Sequence, residues 1–133
     1  MSDANANLTG VWQGLYSFAV AMAPVAFTAT LLENGAWVSG SVHEVAYDDT
    51  GAVEVFATLL GTREGASVSF TKTYDGSAGW NHDVVYAGTV SDDGTEIEGT
   101  WNIPGVWSGK FLMIRSQGPR EAQLRQAFED IRA

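Results

Sequence analysis

Lys72 stands in the run Val68-Ser-Phe-Thr-Lys-Thr-Tyr74, where large and small side chains alternate with a period of two. Val68, Phe70, Lys72 and Tyr74 therefore share one face of a half-buried β-strand. A primary amine in line with two aromatic rings either packs its stem while the amine reaches a rim, or enters a barrel interior that holds some water. Such an amine could bind a carboxylate. His82 opens a later strand and could act as an acid or base near neutral pH. With Tyr16, Tyr74 and Tyr86, these polar tips sit among Trp12, Phe70 and Trp101. Apolar walls with a few polar groups are the usual composition of a small-molecule pocket. The plainer alternative is that each aromatic fills the core, which would contribute about 1.5–3 kcal/mol through burial, and that His82 is an ordinary exposed histidine beside a glycine-rich loop.

Other chemistries find no support. Cysteine is absent, so there is neither a thiol nucleophile nor a disulfide framework. No phosphate-cradling glycine loop or Gly-x-Ser-x-Gly elbow is present, and Ser17, Ser39, Ser41 and Ser108 have no acid–base partner visible from spacing. His43 neighbours Glu44, but two histidines without a third ligand do not make a metal site. Asp48-Asp49 and Asp92-Asp93 lack the alternating oxygen ligands of a calcium loop and read as turns. No catalytic residue, metal or cofactor is assigned.

The elements that must position the candidate residues are strands. Residues 1–7 are expected to be a frayed arm, followed by strands near 9–20, 25–32, 37–45, 53–62, 68–74, 82–90, 96–103 and 106–115. Between them lie turn signals: Glu33-Asn34-Gly35, Asp48-Asp49-Thr50-Gly51, Arg63-Glu64-Gly65, Asp75-Gly76-Ser77-Ala78-Gly79, Ser91-Asp92-Asp93-Gly94 and Pro104-Gly105. Eight short strands joined in sequence predict an all-β, antiparallel up-and-down meander, and closure into a barrel removes the edges that invite aggregation. Barrel strands span 9–115. The glycines at 14, 40, 61, 88, 99 and 109 let such a wall bend or bring backbones close. On this alternation the cup-facing set is Trp12, Tyr16, Phe18, Phe70, Lys72, Tyr74, His82, Tyr86, Trp101, Trp107 and Phe111. At 119–132 the period changes: Leu124, Ala127, Phe128 and Ile131 suit one face of a C-terminal α-helix, which would plug or cover the barrel or make a dimer contact.

At 133 residues the chain forms one domain, 1–133, able to bury a core unaided. Sixteen acidic against seven basic residues give a net charge of −9, the wrong sign for nucleic acid or an anionic membrane surface. The polar N-terminus predicts no signal peptide and the run from Phe18 to Phe27, broken by Pro24, is too short to span a bilayer, so a cytoplasmic location is expected.

Four segments resemble the avidin/streptavidin family: Leu8-Thr-Gly-Val-Trp12, Val68 to Tyr74 with its lysine, Val84-Val-Tyr-Ala-Gly88 and Ile97-Glu-Gly-Thr-Trp101. The resemblance implies an eight-stranded barrel with a ligand cup at one end, assembled as dimers or tetramers. It places Phe70, Tyr86 and Trp101 as aromatic walls. The polar residues of a biotin site do not carry over: Gly14 and Phe18 stand for an asparagine and a serine, His82 and Val84 for hydroxyl residues, and Trp107 near a final aspartate. Each buried ligand atom left unpaired would cost about 1–3 kcal/mol, so biotin is not expected.

The reading is a non-catalytic barrel that binds a small apolar or aromatic molecule through Trp12, Tyr16, Phe70, Lys72, Tyr74, His82, Tyr86 and Trp101, and that self-associates. Two alternatives are an isomerase or cyclase using His82 or a tyrosine, and a filled structural barrel with Trp37 and Trp80 as interface anchors.

Overall fold

The computed structural model of the chain describes residues 7–20, 23–76 and 82–115. Eight strands follow in order: β1 (Gly10–Phe18), β2 (Val25–Asn34), β3 (Trp37–Asp48), β4 (Gly51–Glu64), β5 (Ser67–Tyr74), β6 (Asp83–Val90), β7 (Glu96–Ile103) and β8 (Trp107–Arg115). Each pairs antiparallel with the next, and β8 returns to β1, with Trp12 opposite Arg115 and Phe18 opposite Gly109. The closed meander therefore follows from the alternating strands and turn signals. The helix expected at 119–132, Trp80 and most of the N-terminal arm lie outside the described residues.

Alternation decides which side chains enter. In β4, Val55, Ala57 and Leu59 are buried while Glu54, Phe56, Thr58 and Leu60 are exposed. In β5 the buried members are Val68, Phe70, Lys72 and Tyr74. Turn chemistry sets the registers. Two hairpin loops centre one residue later than the sequence suggests: Asn34 pairs with Trp37, leaving Gly35 and Ala36 as the loop, and Glu64 pairs with Ser67, leaving Gly65 and Ala66. Gly35, at φ +61°, takes the left-handed backbone that a residue with a Cβ resists. At the β6–β7 turn, Asp93 accepts hydrogen bonds from the Ser91 and Thr95 hydroxyls at 2.7 and 2.6 Å, so this acidic pair serves the turn.

One barrel end is closed. Trp12 is fully buried and its indole N–H donates to the Leu8 carbonyl at 2.9 Å. The Arg115 guanidinium lies 4.7 Å from the Trp12 ring and donates to the carbonyls of Asn7, Thr9 and Gly94. Across the same end, Glu33 accepts from the Leu8 backbone N–H at 2.8 Å and from Arg63 at 3.0 Å. The Asn7 carbonyl is thus one of the groups that Arg115 gathers at this end.

Strand glycines here answer to close approach. A Cβ on Gly61 would lie 1.9 Å from the Ser69 carbonyl oxygen and 2.4 Å from the Phe70 Cα. Backbone cannot yield as a flexible side chain can, so Gly61→Ala is expected to destabilise by roughly 1–3 kcal/mol. A lowered urea midpoint at unchanged m-value checks this.

Candidate functional site: a buried glutamate–lysine pair beneath an aromatic cup

The other end of the barrel is open. A cavity of about 220 Å³ occupies it. Its walls are Tyr16 and Phe18 from β1, Tyr74 from β5, Val84 and Tyr86 from β6, Trp101 and Ile103 from β7, with Lys72 below and His82 and Trp107 at the mouth. The rings are mutually braced. Phe18 meets Trp101 and Trp107 edge to face at 5.4 and 5.2 Å, and Tyr16 meets Trp101 at 5.8 Å. Such contacts fix ring orientation beyond what burial alone would do. The Trp101 indole N–H donates to the Ser17 carbonyl at 2.8 Å. Gly109 permits this bond, since a Cβ there would lie 2.6 Å from the indole nitrogen.

Below the cup is the feature that spacing did not suggest as a site. Glu44 on β3 is 2% exposed and its carboxylate is fully engaged. Oε1 accepts hydrogen bonds from the Tyr16 hydroxyl at 2.9 Å and the Tyr74 hydroxyl at 2.8 Å, while Oε2 accepts from Lys72 Nζ at 3.3 Å. Lys72, also 2% exposed, sits over three rings: Tyr74 at 4.6 Å, Tyr16 at 4.8 Å and Tyr86 at 5.3 Å from amine to centroid. A buried cation is tolerated here because a carboxylate and three π-faces replace its water. Burial nevertheless lowers the Lys72 pKa, against the opposing pull of Glu44. Burial, with the Glu44 charge beside them, raises the Tyr16 and Tyr74 hydroxyls far above the ordinary phenol range, and Tyr86 is raised chiefly by burial. All three stay protonated at neutral pH.

The signal for Glu44 was present in parity. Val38, Val42, Glu44 and Ala46 share the inward face of β3, so a carboxylate stands in line with a core valine. His43 faces outward, 3.4 Å from Glu54 and packed on Phe56.

The sequence-selected residues divide. Tyr16, Lys72, Tyr74, Tyr86, Trp101 and His82 come together around the cavity. His82 is exposed, its ring 4.8 Å from that of Tyr74 and its carbonyl accepting the Tyr74 backbone N–H at 3.3 Å. Phe70 and Trp12 lie apart from it. Phe70 sits one inward position deeper than Lys72, stacked on Tyr86 at 5.1 Å and meeting Phe111 edge to face at 6.2 Å. Trp12 closes the opposite end. Phe111 fills the middle, whereas Phe18 and Trp107 reach the cup. Among the described residues no group of acidic or histidine side chains could hold a metal ion.

Fold and site together define a closed eight-stranded antiparallel β-barrel with a filled lower core and an aromatic cup floored by an ion pair. A redesigned β-barrel of known structure is similar to this chain in fold, with a TM-score of 0.66 and 13% identity over 88% of this chain and 98% of that one. No protein-family model matches the chain, and no curated protein matches it in sequence.

Proposed function

We propose that the protein is a non-catalytic carrier or receptor for a small, neutral aromatic molecule that bears a hydrogen-bond acceptor, held in an avidin-like cup that does not suit biotin. The observation that supports this most is the ion pair under the cavity. Lys72 and Glu44 cancel in charge, so the floor does not favour a carboxylate as an unpaired lysine would. Lys72 has three N–H groups and gives one to Glu44, leaving donors for a carbonyl or ether oxygen. Tyr16 and Tyr74 spend their protons on Glu44. Rings of Trp101, Phe18 and Trp107 supply the apolar contact. The isomerase or cyclase alternative is less well supported: His82 is exposed, and the buried tyrosines hold their protons too firmly to act as bases.

Acetophenone is a suitable neutral probe. Saturable binding that shifts the Trp101 and Trp107 indole resonances is expected, and Ile103→Trp, which fills the wall, should weaken it at least about tenfold without altering the melting temperature. Saturable binding untouched by that substitution, or none by any neutral aromatic carbonyl, would remove the proposal.

A further inference from the structure

We infer that Lys72 can capture an aromatic aldehyde covalently, as a Schiff base for which Glu44 is the counterion. This rests on the cup accepting a small aromatic molecule. An amine condenses with a carbonyl only when unprotonated and within reach, and the carbonyl compound must enter ring first or carbonyl first in a fixed pose. Lys72 is placed to meet these conditions, with Glu44 beside it to take the proton. Its amine lines the floor of the aromatic cavity, and its flanking rings of Tyr16, Tyr74 and Tyr86 leave the cup as the route to Nζ. Burial shifts it toward the free amine relative to a solvated lysine.

The overall change conserves charge: the Lys72 ammonium and an aldehyde give an iminium and water. Glu44, 3.3 Å from Nζ, takes a proton from the ammonium. The freed lone pair attacks the carbonyl carbon, forming the C–N bond, and the carbonyl π pair moves to oxygen, which takes the proton that the now cationic nitrogen gives up, leaving the neutral carbinolamine. The nitrogen lone pair then forms C=N as the C–O bond breaks, and the proton returned from Glu44 leaves with the hydroxyl as water. The product carries its positive charge where the ammonium carried its own, against the same carboxylate and the same π-faces. No new charge has to be buried, and the aromatic walls keep bulk water from the iminium.

The chain offers a built-in comparison, since its only lysines are Lys72 and Lys110, and Lys110 is exposed on the barrel wall. Full-length protein is treated at neutral pH with limiting benzaldehyde and cyanoborohydride, and the benzylated sites are mapped by mass spectrometry. Binding of benzyl alcohol, which lacks the carbonyl, is followed in parallel by NMR. Labelling at Lys72 should exceed that at Lys110 by about tenfold or more, because the cup holds the aldehyde beside the Lys72 amine and nothing holds it at Lys110, and pre-saturation with benzyl alcohol should suppress it. If benzyl alcohol binds in the cup yet Lys110 labels as fast as Lys72, covalent capture is wrong and the cup stands. If benzyl alcohol does not bind and Lys72 is not labelled, both fall. Glu44→Gln adds a spectroscopic test: the cinnamaldehyde iminium, and its long-wavelength absorbance, should be lost at lower pH than in the wild type. An unchanged titration would take the counterion role from Glu44.

Discussion

Lys72→Met is expected to destabilise the protein by about 3–5 kcal/mol, because it strands a carboxylate inside the barrel. Methionine nearly matches the volume of the lysine stem, so packing is preserved and the loss reports on charge. Glu44 would keep the two tyrosine hydroxyls but lose the cation paired with it, with 2% exposure leaving water little access. One further result identifies the cause. The double variant Lys72→Met, Glu44→Gln should recover most of the loss, since replacing both members of a buried pair is often close to neutral whereas removing one is not. Urea melts of the four proteins form a double-mutant cycle. A single-variant loss below about 1 kcal/mol, the range of surface pairs, would mean that the pair is effectively solvated.

Trp12→Ala is expected to cost about 3–5 kcal/mol as well, by a different route and with a different functional consequence. The indole is fully buried, bonded to the Leu8 carbonyl and covered by Arg115. Its removal opens a cavity at the closed end and takes away the surface on which the guanidinium rests. The adjoining strands are fixed by barrel closure, so they cannot collapse to refill the space. Because Trp12 takes no part in the cup, affinity for acetophenone should be unchanged wherever the variant remains folded. Calorimetry and a binding titration below the melting temperature would separate the two effects. Weakened binding in a folded protein would contradict the division of the barrel into a plugged end and an open one.

The contrast between these two residues shows where sequence reading stopped. Trp12 and Lys72 both lie on inward faces, and alternation identified both. It could not say at which depth each sits, because inward parity is the same at the plug and at the cup. Phe70 shares that parity and lies a single inward step below Lys72. Glu44 was equally legible by parity, on the face opposite that of its neighbour His43, but nothing local marks it as the partner of Lys72. Only a search for the countercharge of Lys72 would have singled it out.

The strands, their order, the turns between them and the inward parity of most of the cup and core aromatics are legible in the sequence. Those properties depend on local chemistry: side-chain period, glycine at positive φ, and short connections that force neighbours to pair. Tertiary structure alone decided which inward residues meet. Glu44 and Lys72 are 28 residues apart, on strands separated by β4, and only closure of the sheet directs both toward one axis at one depth. That depth is fixed by strand register and stagger, which couple all eight strands and so cannot be read from any one of them.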